Sequence, residues 1–180
     1  MHLKRDSMKE EIFEIVNGED EVIGCAPRKE CHGNPSLTHR VAHVLVHNTA
    51  GELLLQKRSQ SKFIQPGRWD TSVGGHLEPG EGYEQAALRE LNEELGITDV
   101  PVRFLRKYFM RNEIESECVA TFLVQWEGQV HFNEAEIEEV RFFSTDEIEK
   151  KIGSGAFTPN FEKEYRYLHQ HDILKIFKIG

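Results

Sequence analysis

Apolar residues gather in short β-branched or aromatic runs before residue 80 and after residue 100, with one helical stretch between them. EIFEIV (11–16) and EVIG (21–24) flank NGED, a turn-forming tetrad, and predict a small leading hairpin over about 11–24. The polar stretch RKECHGNPSLT leads into VAHVLVH (41–47), a run of strand length. HNTAGE then turns the chain and LLLQKR (53–58) returns it, so a second hairpin is expected. Residues 59–70 read as a loop around Pro66-Gly67. TSVGGHLEPGEG follows, and its Pro79-Gly80 pair sets the start of a helix.

From Gly82 to Leu95 the chain is rich in Glu, Ala, Leu, Arg and Gln, all good helix formers. Leu88, Leu91 and Leu95 fall at helical spacing and are expected to share one face, and Gly96 stands where a left-handed C-terminal cap belongs. Residues 102–110, 118–126 and 138–143 predict three more strands, with His43 and His47 read as ordinary residues of the earlier 41–47 strand. Ser144 and Glu147 have the spacing of a capping box, and 161–179 predicts a terminal helix with Tyr165, Leu168, Ile173 and Phe177 available for docking. This order gives an α+β class with a helix laid against a sheet. A single domain over 1–180 is expected, long enough to bury a core.

The charge balance narrows the partners. With 22 Lys+Arg against 31 Asp+Glu and a formal charge of −9, the chain lacks the basic footprint that a nucleic acid polymer requires. Small phosphorylated ligands remain open to it if metal ions supply positive charge. No apolar run approaches the roughly 18 residues of a membrane span, and MHLKRDSMKEEIFEI has no apolar stretch of the secretory kind. Three cysteines with no Cys-x-x-Cys pair suit a reducing cytoplasm.

Glu90, Glu93 and Glu94 fall at i, i+3 and i+4, so their carboxylates cluster on one side of the helix. Mutual repulsion there is relieved by a hard divalent cation such as Mg²⁺ or Mn²⁺. Preceding glycines let a backbone carbonyl approach a metal or phosphate. Taken whole, GHLEPGEGYEQAALRELNEELGI (75–97) fills every fixed position of the Nudix box: Gly75, Glu81, Arg89, Glu90, Leu91, Glu93, Glu94, Gly96 and Ile97. The chain therefore resembles the Nudix hydrolases. That resemblance implies an α/β/α sandwich with a mixed sheet and a central catalytic loop–helix. It also implies Mg²⁺- or Mn²⁺-dependent cleavage of a small organic diphosphate, such as a nucleoside diphosphate derivative. Under it, Glu93 and Glu94 are metal ligands, and Glu90 is a further ligand or the base that deprotonates water, oriented by Arg89. The carbonyl of Gly74 faces a metal, and Glu81 supports the loop–helix geometry, as do Gly75 and Gly96. A later ligand is expected from Glu134, Glu136 or Glu139. Many relatives dimerise, and the leading hairpin or terminal helix offers a surface for a homodimer.

The segment before the box, THRVAHVLVHNTAGELLLQKRSQSKFIQPGRWDTSVGGH (38–76), is similar to the branch containing type I isopentenyl-diphosphate isomerase. Those isomerases bind a metal through three histidines and two glutamates. By position the resemblance implies a second candidate metal site of His32, His39, His76, Glu115 and Glu117. Such a ligand set suits Mn²⁺ or Zn²⁺ better than Mg²⁺. The isomerase cysteine, however, is replaced by Gly74, which cannot move a proton through a side chain. The complete box points instead to hydrolysis, over both isomerisation and a non-catalytic nucleotide or diphosphate sensor. Lys57 and Arg58, at the end of a strand, are candidates for holding phosphate, and Trp69 is expected in the core.

Overall fold

The computed structural model describes residues 10–62, 64–173 and 175. Along the chain run β1 (Ile12–Val16), β2 (Val22–Pro27), the one-turn α1 (Arg28–Cys31), β3 (Thr38–His47), β4 (Leu53–Arg58), β5 (Trp69–Asp70) and β6 (Val73–His76). These are followed by α2 (Tyr83–Leu95), β7 (Arg103–Arg111), β8 (Ser116–Gln125), β9 (Ile137–Phe143), α3 (Thr145–Lys151) and α4 (Pro159–Gln170).

The sheet is organised about β3. One of its edges pairs in parallel with β8 along the whole strand, from Thr38↔Ser116 to His47↔Gln125. The other edge meets β1 at Ile15↔His39, β6 from Val41↔His76 to Val44↔Val73, and β4 at Val46↔Leu54, all antiparallel. β4 continues outward to β9 and β5. The sheet is therefore mixed, and the long parallel pair at its centre is apolar on both faces, as strands covered on both sides must be.

Side chains of paired residues point to the same face, and successive residues alternate. Ala42, Val44 and Val46 with Ala120, Phe122 and Val124 accordingly build one core against Ala87, Leu91 and Leu95 of α2. Leu45 and Leu123 turn to the opposite side, where Ile148 of α3 and Phe161, Tyr165 and Leu168 of α4 cover them. The result is an α/β/α sandwich with α2 on one face and α3 and α4 on the other. That parity also governs the site, because His43 and Gly74 share the α4 face while Ala42 and Gly75 share the α2 face.

Local chemistry sets the helix ends. Gln85 accepts from the Gly82 amide at 2.9 Å at the start of α2, and Gly96, at φ +65°, ends it with its N–H on the Asn92 carbonyl. Ser144 and Glu147 form the expected capping box, with reciprocal bonds of 3.2 and 3.1 Å. Thr158 caps α4 through the Phe161 amide, with Pro159 in its first turn.

Several expectations need correction. The leading hairpin forms, but β2 continues to Pro27 and the polar stretch after it holds α1. The loop expected over 59–70 ends in β5, a strand of two residues, and the segment after it holds β6, too short and glycine-rich to carry a strand pattern. Leu88 is 38% exposed; the apolar face of α2 runs through Ala87, Leu91 and Leu95 instead. The terminal helix begins at Pro159 and ends at Gln170, with Ile173 packed beyond it. Phe177 lies outside the described residues. Trp69 is partly buried and packs against the core, edge-on to Phe143 at 4.7 Å.

Candidate active site

The glycine strand β6, the second half of α2 and the amino-terminal end of β3 and β8 open onto one cleft of about 1350 Å³. Arg89 is its structural hinge. Its Nε and Nη2 clasp both oxygens of Glu81 at 2.9 and 2.8 Å, and Nη2 also holds the His76 carbonyl at 3.0 Å. Nη1 reaches Glu90 at 2.7 Å and Glu93 at 3.2 Å. A planar guanidinium can grip a carboxylate bidentately in this way and a lysine cannot. The bond from Arg89 holds the Glu81 carboxyl below its usual range. Replacing Glu81 by Gln is expected to cost about 2 kcal/mol of stability, the scale of hydrogen bonds to charged groups. Thermal melting of the metal-free variant checks this.

Glu90 and Glu94 behave differently because they are sheltered. Burial pushes Glu90 upward, with Arg89 opposing. Glu94 is pushed up to about 8, by burial first and then by the charge of Glu90. It accepts from a neutral donor, Gln56 Nε2, at 2.9 Å. A sheltered carboxylate without a cation is costly, so this face fits a hard divalent ion. Glu93 stands more exposed at the cleft mouth. Among the late-loop candidates, Glu136 lines the cleft, held by Lys62 at 2.8 Å, whereas Glu134 and Glu139 do not.

The histidines and glutamates brought together from four segments form a second cluster. His32, His39 and His76 have ring nitrogens within 4.8 Å of one another, and His39, Glu115 and Glu117 satisfy the same limit. His32 and His76 lie 3.2 Å apart at their Nε2 atoms, His32 Nε2 is 3.6 Å from Glu115, and His39 Nε2 is 3.8 Å from Glu117. Among the described residues, both nitrogens of the fully buried His39 lack a hydrogen-bond partner, an exception that calls for a physical reason. Burial lowers His39 to about 4, with the charge of His32 adding to it, and burial also drives His76 well down. Glu117 is raised to about 7 by burial and then by Glu115. Neutral imidazoles facing carboxylates, with the nitrogens of His39 unpartnered among the described residues, are a donor set that fits a transition-metal ion. Phe13 from β1 stacks on His76 at 4.3 Å, so the leading hairpin shields this cluster.

Lys57 does not reach the cleft, which corrects the expectation of a phosphate clamp there. On β4 it alternates away from Gln56 and Arg58, and its ammonium is taken by Glu138 at 2.7 Å. Arg58 does line the cleft, its guanidinium on the Ile64 carbonyl at 3.0 Å and on Asp70 at 3.4 Å. His43, read as a plain strand residue, also lines the cleft. There burial opposes its charge, but Glu164 outweighs burial and pushes it up to about 9. Gln56 and Glu164 carry no local sequence signal, and only the fold connects them with the box.

The NUDIX domain family matches residues 37–163. An uncharacterized Nudix hydrolase of Pseudomonas aeruginosa is 33% identical over 150 residues, covering 83% of this chain and 88% of that protein. The uncharacterized Nudix hydrolase YfcD of Escherichia coli is 32% identical over 83% of this chain and 82% of its own. The crystal structure of DR0079 from Deinococcus radiodurans superposes with a TM-score of 0.77 at 26% identity, over 87% of this chain and 98% of that one. The MutT protein of Methanosarcina mazei shares the fold at a TM-score of 0.65 and 24% identity, over 77% and 96% of the two chains. The chain belongs to the Nudix family and is a Nudix hydrolase, a class of enzymes that act on small diphosphate compounds and generally use divalent metal ions. Among the described residues no helix is long and apolar enough to cross a membrane.

Proposed function

We propose that this hydrolase cleaves the diphosphate linkage of a nucleoside diphosphate derivative or similar organic diphosphate, with Mg²⁺ or Mn²⁺. The observation that carries this reading is Glu94, a sheltered carboxylate pushed up by burial and by Glu90, on the same helix face as Glu90 and Glu93. Glu93, Glu94 and the Gly74 carbonyl would hold the cation, and Glu136 is the late-loop residue placed to join them. A divalent ion bound there supplies charge neutralisation for the diphosphate and acidifies water. Glu90, pushed up by burial and fixed by Arg89, takes the proton from the attacking water. Glu81 keeps Arg89 in place. The His32, His39, His76, Glu115 and Glu117 cluster is a second metal position on the other face of the sheet, suited to Mn²⁺ or Zn²⁺. The free thiols of Cys25, Cys31 and Cys118 suit work in a reducing cytoplasm.

Phosphorus NMR tests the reaction directly. The full chain with Mg²⁺ is mixed with nucleoside diphosphates, nucleoside triphosphates and isopentenyl diphosphate. Loss of a diphosphate resonance, with monophosphate or inorganic phosphate appearing, is the expected result. An intact diphosphate with a migrated double bond in the proton spectrum would replace hydrolysis by isomerisation. No change in any substrate would leave only binding.

A further inference from the structure

Seven large apolar side chains are exposed among the described residues, and four of them lie on the leading hairpin and on β7, outside the cleft. They are Ile23 at 66% exposure, Phe104 at 57%, and Val22 and Phe109 at 47% each. Register gives β7 its open face. Phe104 pairs with Phe122, Lys107 with Ala120, Phe109 with Cys118 and Arg111 with Ser116, so these four side chains turn to the α2 side. α2 covers Ala120 and Phe122 but does not extend over β7. The turn between β1 and β2 crosses to the same strand. There Lys107 Nζ reaches Asp20 at 2.8 Å, and Asp20 also takes Arg40 Nε at 2.7 Å and the Tyr83 hydroxyl at 3.0 Å. Val22 and Ile23 leave that anchor on one side, with Phe104 and Phe109 along the strand to either side of Lys107.

Grouped apolar exposure of this kind marks an interaction surface. The strand edges beside it are guarded against pairing. Among the described residues β2 pairs with β1 alone and β7 with β8 alone. The outer strand β2 carries a bulge between the pairs Ile15↔Gly24 and Val16↔Val22 and ends in Pro27. Two β7 strands paired antiparallel about Lys107 would set Lys107 against itself and Arg103 against Arg111, which like-charge repulsion opposes. What stays open is the face, and its charges are divided. Glu19 and Glu21 stand on the turn at one side, Arg111 stands on β7 at the other, and all three are exposed with no ion pair among the described residues. A surface that carries an apolar centre and both halves of its own charge complement matches a second copy of itself, as a two-fold interface requires.

We propose that this face joins two copies of the chain in a two-fold dimer, with Val22, Ile23, Phe104 and Phe109 at its centre and the Glu19–Glu21 turn of each copy against Arg111 of the other. The proposal is independent of the diphosphate reading. It bears on the site through the hairpin, because β1 meets the body of the sheet at Ile15↔His39 and its Phe13 stacks on His76. A second copy resting on the hairpin braces that wall of the histidine cluster.

Sedimentation equilibrium of the full chain, diluted from hundreds of micromolar to below one micromolar, tests this. Twice the chain mass at the upper end is the expected result. Ile23→Asp and Phe109→Asp, on two different elements and both exposed, should leave thermal melting of the monomer unchanged. Each should weaken the dimer by about a hundredfold or more, since a change at a two-fold interface acts twice on an apolar anchor. Arg111→Glu alone should weaken it by about tenfold, and adding Glu19→Arg and Glu21→Arg to the same chain should restore it, a rescue that general damage to the fold would not give. A single chain mass at every concentration overturns the proposal and leaves the face to a foreign partner. A dimer indifferent to both aspartate changes also overturns it, by placing the contact elsewhere. Loss in the aspartate variants without rescue by the charge exchange overturns the two-fold arrangement.

Discussion

Replacing Glu94 by Gln is expected to lower kcat/KM by about a thousandfold, roughly 4 kcal/mol of transition-state stabilisation, while making the metal-free protein no less stable. The two effects diverge because of where Glu94 sits. Burial, and then Glu90, push its carboxyl up to about 8, against the neutral amide of Gln56 that donates to it. A folded-state value raised above the ordinary 4.5 sets the sign of the linkage. The contribution to stability is fully present below about 4.5 and is lost as the pH rises through about 8. Metal-free wild type should therefore soften across that interval, with Glu117, raised to about 7, adding to the trend. The Glu94→Gln variant should soften less. Mn²⁺ should restore wild-type melting near pH 8 but do much less for the variant, because binding to the folded state alone is what stabilises. Glu93→Gln supplies the contrast: an exposed carboxylate whose loss should cut activity without moving the metal-free melting curve. Paired melting and phosphate-release measurements check all of this. Full activity with both glutamates replaced would end the proposed mechanism.

The part of the site that could be read in the sequence is the part carried by contiguous residues. Glu81, Arg89, Glu90, Glu93 and Glu94 occupy one loop and one helix, so spacing alone fixes their relation, and the Arg89 hub follows. His32, His39, His76, Glu115 and Glu117 were reachable only through resemblance, since four separate segments deliver them. The remainder depends on sheet register and parity. His43 looks like a polar interruption in an apolar strand until the Gly74 pairing and the distant Glu164 are placed around it. Lys57 and Arg58 are adjacent in sequence, yet the period of two sends only Arg58 to the cleft. Leu88 fits a helical spacing rule, but α2 is covered by the sheet through the narrower stripe of Ala87, Leu91 and Leu95. β5 and β6 escape because glycine and two-residue strands carry no alternation. Parity also explains why the two acidic clusters can share one cleft without merging: Gly75 faces α2 while Gly74 and His76 face the other side.

The Gly75→Ala substitution should nearly abolish activity while leaving the fold largely intact, an expected loss of about a hundredfold or more, near 3 kcal/mol. Gly75 lies opposite Ala42 in the sheet and turns its missing side chain toward α2. A Cβ there would fall 1.9 Å from Glu90 Cδ, 2.2 Å from Oε1 and 2.3 Å from Cγ. Such separations cannot exist, so one side must move. The strand is anchored by its pairing with β3, and the long Glu90 side chain is the easier of the two to displace. Swinging it out breaks the 2.7 Å bond from Arg89 Nη1 and takes the proposed base away from the cleft. Arg89 keeps Glu81 and the His76 carbonyl, so the loop–helix junction survives. The stability cost should then be limited to the scale of overpacking, about 1–3 kcal/mol. A double-mutant cycle separates this account from general damage. If Gly75→Ala acts by evicting Glu90, adding Glu90→Gln should cost almost nothing further, giving strong non-additivity between two residues in contact. Additive losses in the double variant would mean that the alanine harms the site by another route and that Glu90 keeps its place.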